Sequence, residues 1–302
     1  MRKTTAALSA LALSALVLTG CGSAPATSDP GCARGDSRAL EMAVNATGDI
    51  GSPTVNLTSP VVTSQVLHAD LVAGEGPVVR TPQQNVVAVV TLLSGSTGQV
   101  LQTAPVIWSS DLMDAQLGAG GAALACAAEG SRVAFAVPAG DLPDGMAEQA
   151  GLRPDSGLVG TIDIQEVLLP HAEGRDVFND AHGLPTVVRA ADGRPGIIIP
   201  DAAAPKKAVT QTLIEGRADA VGDGTAMFQY TAVDWTDRTV TRSSWDSGVV
   251  FDGSALPEEV MDAVSAATVG SQLLVIVPGE DADATAYVVD VLGILPPELV
   301  RG

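Results

Sequence analysis

Aromatic residues and positive charges are both scarce in this sequence. Aromatic side chains make up 3% of the 302 residues, whereas hydrophobic residues make up 46%, so any core must be mainly aliphatic. The 16 Lys and Arg face 35 Asp and Glu, and the formal net charge is −19 at pH 7. So acidic a chain repels the phosphates of DNA, RNA and anionic lipids. We therefore expect no nucleic-acid partner and no electrostatic attachment to a membrane.

Long hydrophobic runs are absent beyond the N-terminus, so no helix is expected to span a bilayer. At the N-terminus, two basic residues precede an apolar run at 6–18, and the sequence LTGC follows, ending at Cys21. This pattern resembles a bacterial lipobox. The resemblance implies a signal peptide over 1–20, cleavage before Cys21 and a lipid on its sulfur, and hence a lipid-anchored protein facing outside the cytoplasm. A plain secretory signal with an incidental cysteine is the alternative.

Cysteine is rare, and two of the three cysteines lie beyond the lipobox. Residues 22–30 are rich in Ser, Ala, Pro and Thr, a composition that cannot pack a core, and 21–38 is interpreted as a flexible tether. Outside the cytoplasm an isolated pair such as Cys32 and Cys126 is more often bridged than free, so a disulfide is expected. Two free thiols are the alternative. Zinc is disfavoured, because two cysteines without a nearby CxxC or HxxxH pattern cannot close a tetrahedral site.

Motifs for common catalytic and cofactor chemistry are missing. His68, His171 and His182 are isolated from one another in the sequence. The Ser pair at 243–244 lacks the G-x-S-x-G frame of a hydrolase nucleophile, and no GK[ST] follows the GAGG stretch at 118–121. The acidic residues are dispersed and form no calcium loop. We therefore predict neither a cofactor nor a metal site.

An internal repeat dominates the organisation of the chain. Segments of the first half match segments of the second half at a constant shift of 140 residues. The matched pairs are 86–93 with 226–233, 129–133 with 269–273, and 137–138 with 277–278. The shift then falls to 126, because 169–170 matches 295–296, so the second copy lacks 14 residues before its last strand. A repeat of this length is domain-sized, which predicts two domains, 39–173 and 174–302.

Both copies show the same succession of elements. An extended segment rich in β-branched residues leads in, two strands follow, then one helix, and two more strands close the copy. The strands predicted most clearly are 86–93, 225–233, 273–277 and 286–294. The helix of the second copy is predicted over Glu258–Ala267, where Val260, Met261 and Val264 recur at helical spacing. We expect an α+β fold of two tandem domains, each an antiparallel β-sheet curved around one short α-helix.

The second copy resembles the FKBP-type peptidyl-prolyl isomerase family over about residues 206–295. The matching segments are L-I-E-G at 213–216, Y-T-A at 230–232, S-S-W-D at 243–246, L-P at 256–257, V-G-S at 269–271 and Y-V-V-D-V-L at 287–292. The first copy matches only through the repeat. The resemblance implies two FKBP-like domains and a role in the folding of exported proteins. Such a pair behind a lipobox fits an actinobacterial secreted lipoprotein.

The resemblance also implies the position of a substrate pocket in the second copy. The corresponding residues are Tyr230, Thr241, Arg242, Phe251, Leu256, Pro257, Val260 and Tyr287. Thr241 and Arg242 replace the family's Phe-Asp pair, and Val260 replaces the Trp of the pocket floor. Pro257 has no N–H to donate to a ligand carbonyl. The family's loop Tyr falls in the 14 missing residues.

The first copy departs further from the family pattern. Val90 replaces the strand Tyr, Leu101 and Gln102 replace the Phe-Asp pair, and Gly120 replaces the Trp. With its pocket so altered, the chain is predicted to be an isomerase-family lipoprotein with weak or no turnover and with no assigned catalytic residue. A non-catalytic extracytoplasmic chaperone or adaptor is the alternative. The expected partners are unfolded or Pro-containing polypeptide segments, the membrane is contacted through the lipid anchor only, and a monomer is expected.

Four of the nine aromatic residues lie within 227–248. Phe228 and Tyr230 are two apart on a predicted strand and should share a face. Trp235 and Trp245 flank this strand and are expected to cover the core from outside. Packing is the simplest interpretation of all four, and a partly open apolar groove is the alternative.

Overall fold

The computed structural model describes residues 32, 34–178, 181–280 and 283–296. The predicted signal peptide and Cys21 lie outside these residues. The described part of the chain is mostly β, with antiparallel sheets and four α-helices, which confirms the expectation of antiparallel sheets with few helices. None of its helices is long and apolar enough to cross a membrane.

The first half of the chain builds one five-stranded sheet, which we call the N-terminal sheet. The elements in chain order are α1 (Arg38–Ala43), β1 (Val44–Thr47), β2 (Thr54–Leu57), β3 (Leu67–Val72), β4 (Val86–Ser94), β5 (Val100–Trp108), α2 (Ser110–Leu117), a 3-10 turn (Gly121–Ala123), β6 (Arg132–Pro138), a second 3-10 turn (Ala139–Asp141), α3 (Met146–Gln149) and β7 (Gly157–Val167). The strand order is β3-β6-β7-β4-β5, with every neighbouring pair antiparallel. Strands β1 and β2 form a separate hairpin.

The second half builds a six-stranded sheet, which we call the C-terminal sheet. Its elements are β8 (Gly174–Asp176), β9 (Thr186–Arg189), β10 (Pro195–Ile198), β11 (Val209–Gly216), β12 (Thr225–Asp234), β13 (Val240–Ser243), α4 (Glu258–Ser265), β14 (Gln272–Pro278) and β15 (Ala284–Leu295). The order is β13-β12-β15-β14-β11-β8, again antiparallel throughout. Strands β9 and β10 form a hairpin of their own.

The two sheets share one topology. Five strands of each sheet follow one another in the same spatial order, and a hairpin precedes each set in the chain. Strand β8 is an addition at the edge of the C-terminal sheet. The shared order agrees with the repeat read from the sequence, while a division into two domains at residue 173 stays a prediction.

Each sheet is covered on both faces. A helix covers one face, with Met113 of α2 in the first half and Val260 of α4 in the second packed into aliphatic cores. The hairpin covers the opposite face, where Val55 and Ile197 contact the sheets. Strand β4 is therefore buried on both sides, which explains why it is a continuous apolar run rather than an alternating one.

The helix of the first half differs in position from the repeat. A shift of 140 aligns α4 with residues 118–125, but that segment forms only a 3-10 turn, and α2 begins about two helical turns earlier, at Ser110. The Ser109 hydroxyl accepts a hydrogen bond from the Leu112 N–H at 3.1 Å and caps the start of α2. Gly118 ends the helix with a φ of 74°, a conformation that favours glycine.

The N-terminal segment is fastened to the first half near the end of the 3-10 turn. Cys32 and Cys126 are joined by a disulfide, with their Cα atoms 5.4 Å apart. Arg34 reaches the same region, where its guanidinium donates to the carbonyls of Ala123 and Ala125. It also pairs with the Asp70 carboxylate at 2.9 Å.

A buried ion pair joins the first hairpin to the N-terminal sheet. Arg132 on β6 donates two hydrogen bonds to the Asp163 carboxylate on β7, at 2.6 and 2.7 Å. The same guanidinium donates to the carbonyls of Gly48 and Asp49 in the β1–β2 turn, at 3.2 and 3.0 Å. The turn returns a hydrogen bond from the Gly51 N–H to Asp163 at 2.8 Å. Because the donors and acceptors of this pair are matched, both charges tolerate burial.

In the C-terminal sheet, the equivalent buried carboxylate, that of Asp290, is paired with a neutral side chain instead of an arginine. Gln272 stands at the position of Arg132 and donates to the Asp290 carboxylate at 2.8 Å. The Ala172 N–H is a second donor to Asp290, at 2.9 Å, while burial raises the pKa of this carboxyl. The arginine here comes from the hairpin, because Arg189 on β9 donates to the side-chain oxygen Oε1 of Gln272 at 3.2 Å.

The two sheets meet through a small apolar junction. Val87, Met227 and Leu292 are buried there together with Leu168. The connection also has a main-chain link, since the Leu169 N–H donates to the Leu292 carbonyl at 3.1 Å. The segment that leaves β7 is thus held against β15 before it enters β8.

Candidate functional site

Two aromatic residues of the predicted pocket meet on the helix-covered face of the C-terminal sheet. The rings of Tyr230 on β12 and Tyr287 on β15 have centroids 6.4 Å apart, and Tyr230 lies 6.5 Å from the Phe228 ring. Phe228 and Tyr230 share this face, as expected from their spacing. Both tyrosines are half-buried over the core, and burial raises the pKa of Tyr287.

The helix side of this cluster is closely packed. Val260, the residue predicted at the position of the family's Trp, is fully buried in the aliphatic core. A Cβ on Gly253 would collide with the Met261 thioether and displace that side chain. The Leu256 N–H donates to the Gly253 carbonyl at 2.8 Å, and Pro257 has no N–H. Neither Leu256 nor Pro257 therefore offers a main-chain donor to a ligand.

The remaining predicted pocket residues lie at the rim of the sheet. Thr241 and Arg242 are exposed on β13, the outermost strand. The Thr241 hydroxyl donates to the Ala232 carbonyl at 3.3 Å, and Arg242 donates to the Ala255 carbonyl at 3.4 Å. Phe251 follows in an irregular segment and is 48% exposed. The structure thus brings together Tyr230, Leu256, Val260 and Tyr287.

The corresponding face of the N-terminal sheet carries an apolar groove of about 330 Å³. Val90, Gln102, Gln116 and Leu117 line it, and the shift of 140 equates them with Tyr230, Arg242, Leu256 and Pro257. Ala104, Val106 and Trp108 complete the wall along β5. We call this cavity the β5 groove. It is a site that the substitution pattern of the first copy did not predict.

The floor and the cover of the β5 groove both differ from those of the predicted pocket in the second half. Gly120 is the residue predicted at the position of the family's Trp, and the Met113 side chain lies 3.0 Å from where a Cβ on Gly120 would lie. Met146 of α3 contributes to the lining from above. It belongs to the connection 139–156 between the last two strands, whereas the equivalent connection in the second half is only 279–283. One lining residue of the groove, Met146, therefore comes from a connection that is much shorter in the second half.

One sequence signal did point to this groove. On β5, Gln102, Ala104, Val106 and Trp108 recur at a period of two, which places them on one face of the strand. Polar Gln102 at one end and Trp108 at the other make the pattern weaker than that of a core strand.

The two tryptophans of the second half behave differently from each other. Trp235 is a buried member of the core on the hairpin-covered face rather than an outer cover, and its Nε1–H donates to the Ala202 carbonyl at 3.0 Å. Trp245 lines cavities at the junction of the sheets.

Comparison with known proteins yields no match to a family model and no match among curated proteins. Similar solved structures include a peptidyl-prolyl cis-trans isomerase from Pseudomonas syringae pv. tomato, at 17% identity over 35% of this chain and 77% of that chain, with a TM-score of 0.28. The three FKBP domains of wheat FKBP73 match at 15% identity over 76% and 94%, with a TM-score of 0.33. FkpA from Escherichia coli matches at 17% identity over 36% and 52%, with a TM-score of 0.28. Scores this low carry no conclusion about family or activity.

Proposed function

We propose that the protein is an extracytoplasmic lipoprotein with two FKBP-like domains that holds apolar or Pro-containing segments of exported polypeptides, with weak or no prolyl isomerase turnover. The motifs within 206–295 and the repeat support the FKBP-like assignment. The lipobox supports attachment to the membrane through a lipid on Cys21. Binding as a monomer, through grooves on the sheets, is part of the proposal.

The observation that carries the binding role is the β5 groove. Its lining is aliphatic and aromatic, with the amides of Gln102 and Gln116 as the polar groups. A volume of about 330 Å³ accommodates a few side chains of a polypeptide. Burying one side chain the size of Val or Leu contributes about 1.5–3 kcal/mol, so two or three side chains together exceed the roughly 4 kcal/mol that corresponds to a millimolar Kd.

Weak turnover follows from what a prolyl isomerase must do. The reaction breaks no bond, and its barrier of about 18–20 kcal/mol reflects the lost conjugation of the twisted amide. A catalyst has to bind that twisted amide in a dry, closely fitting pocket. In the second half Val260 gives no ring for stacking, and in the first half Met113 takes that place. The neighbouring rings of Tyr230 and Tyr287 are the part of the predicted pocket that supports some remaining isomerase activity.

Binding to the β5 groove is tested with a charge placed in its wall. Val106→Glu puts a carboxylate against the groove, whereas Val100→Glu, on the same strand, alters a residue that is 47% exposed and does not line it. We expect at least tenfold weaker binding of an apolar Pro-containing peptide to Val106→Glu and unchanged binding to Val100→Glu, measured by fluorescence anisotropy. Circular dichroism of both variants checks that the fold is retained. Equal affinities for the two variants would exclude the groove as the binding site.

Catalysis is tested by an isomerase assay on an X-Pro peptide with the mature chain. Four features of the family pocket are missing: the ring floor, the aromatic wall, the main-chain donor and the loop Tyr. If each loss costs about 1 kcal/mol of transition-state binding, kcat/KM falls about a thousandfold below that of a full-pocket enzyme. Turnover comparable to such an enzyme would make the protein an isomerase rather than a holding chaperone.

A further inference from the structure

A second type of cavity lies at the junction of the two sheets. One cavity of about 120 Å³ and another of about 250 Å³ share four lining residues, Gln83, Asn85, Gln229 and Trp245. Three side-chain amides and the Trp245 indole therefore line both cavities. We call this pair of cavities the junction groove. It is separate from the β5 groove, with which it shares no lining residue.

Gln229 is the most unusual residue of the junction groove. It lies on β12, only 6% of it is exposed, and it lines both cavities. Among the described residues its side-chain amide has no hydrogen-bond partner, but it does not belong to the polar groups that are sealed from solvent. Its nitrogen and oxygen are therefore open to the groove that Gln229 lines. A ligand that donates to its oxygen and accepts from its nitrogen would take the place of water there.

Trp245 presents a second unused polar group at the same place. Its Nε1–H is buried and has no acceptor among the described residues. The indole of Trp235 shows the usual arrangement by contrast, because it donates to the Ala202 carbonyl. Two unpaired groups thus converge in one groove: an amide that both donates and accepts, and an N–H that only donates.

The charges around the junction groove narrow the choice of ligand. The acidic side chains that line it are those of Asp111, Asp192 and Asp246, and Arg194 is already paired with Asp246 at 2.6 and 3.0 Å. The rim is therefore acidic overall, as is the whole chain. An anionic ligand would be repelled, and a neutral or basic ligand would be favoured.

We propose that the junction groove binds an extended polypeptide segment of neutral or basic composition through its main-chain amides. A peptide group offers a carbonyl and an N–H, which complement the Gln229 amide, and a neighbouring carbonyl accepts from the Trp245 indole. The apolar walls, Leu169 and Leu292, accommodate side chains between the amides. An extended polypeptide presents a peptide group about every 3.3–3.6 Å along the groove. This proposal does not depend on the proposed function, because the two sites differ.

The test uses the mature full-length chain and isothermal titration calorimetry. The probes are a capped Ala-Lys-Ala-Lys-Ala peptide, its Glu-containing counterpart and a trimer of N-acetylglucosamine. Gln229→Leu keeps the approximate size and removes the amide, and Trp245→Phe keeps an aromatic wall and removes the N–H. Trp235→Phe is the matched control, since it removes an indole outside the groove.

We expect saturable binding of the basic peptide, weakened about threefold to tenfold by Gln229→Leu and by Trp245→Phe, as for the loss of one hydrogen bond. Trp235→Phe and Val106→Glu should bind it like the wild type. The proposal is overturned if neither variant weakens binding, if the acidic peptide binds as well as the basic one, or if only the sugar binds. Absence of peptide binding at millimolar concentration would overturn it too.

Discussion

The carboxyl group of Glu166 should make the stability of this protein fall as the pH rises towards neutrality. Glu166 lies on β7 at the junction, where it faces β15 at Gly293 and forms a backbone hydrogen bond with Ile294. Its register partner on β4 is the apolar Val87. Burial, and then the negative charge of Glu129, raise the pKa of Glu166 from 4.5 to about 7.

The sign and size of the effect follow from proton linkage. Between pH 4.5 and about 7 the folded protein keeps a proton on Glu166 that the unfolded chain has released. The free energy of unfolding therefore decreases through this window as the pH rises, and below it the contribution is fully present. The difference between the two pKa values corresponds to about 3 kcal/mol. Solvent screening of a side chain that is only half-buried lowers this to about 1–2 kcal/mol.

The comparison of wild type with Glu166→Gln isolates this contribution. Urea denaturation at pH 5, 6, 7 and 8 gives the free energy of unfolding of each protein, and other titrating groups cancel in the difference. We expect the variant to gain about 1–2 kcal/mol relative to the wild type between pH 5 and 8. Glu148→Gln, in the short helix α3, is the control and should follow the wild type. If the free energies of unfolding of wild type and Glu166→Gln change with pH in parallel, the reasoning is refuted.

Three further outcomes are expected. Thiol counting on the denatured mature protein should find neither Cys32 nor Cys126 free, and two titratable thiols would contradict the bridge. Cys21→Ser should leave the protein outside the membrane fraction or unprocessed; normal cleavage with membrane attachment would exclude the lipid anchor. Asp163→Asn should lower the free energy of unfolding by about 3–5 kcal/mol, because it leaves a buried guanidinium without its counter-charge. Asp290→Asn, whose partner is a neutral amide, should cost about 1 kcal/mol in the same urea experiment, and equal losses would contradict the distinction.

The strands were predictable because their patterns are local. The segment predicted as 86–93 is observed as Val86–Ser94, and 286–294 is observed within Ala284–Leu295. Continuous β-branched runs of this length have few alternatives to a strand buried on both faces. The helix predicted over Glu258–Ala267 is observed as Glu258–Ser265, since its valines fall on one face.

The grooves were not predictable in the same way. Helix α2 is short and weakly amphipathic, and the repeat predicts a helix in the residues that follow it. The local sequence signals for α2 are therefore the Ser109 N-cap and the Gly118 C-cap. The junction groove depends on packing between halves of the chain far apart in sequence. Nothing near Gln229 or Trp245 indicates that Gln83 and Asn85 will lie beside them. Local periodicity carries no information about such contacts.

The disulfide at the start of the described chain has a mechanical consequence. A pulling force applied to the chain before Cys32 enters the folded body at Cys126, through the covalent bridge, rather than along the intervening segment. Helix α1 and the β1–β2 hairpin lie within that bypassed segment and bear no load. The force arrives a few residues before β6, an inner strand of the N-terminal sheet with a partner on each side. Tension would therefore shear two rows of hydrogen bonds together instead of peeling one edge, and the first half should resist extension best when its cysteines are oxidised.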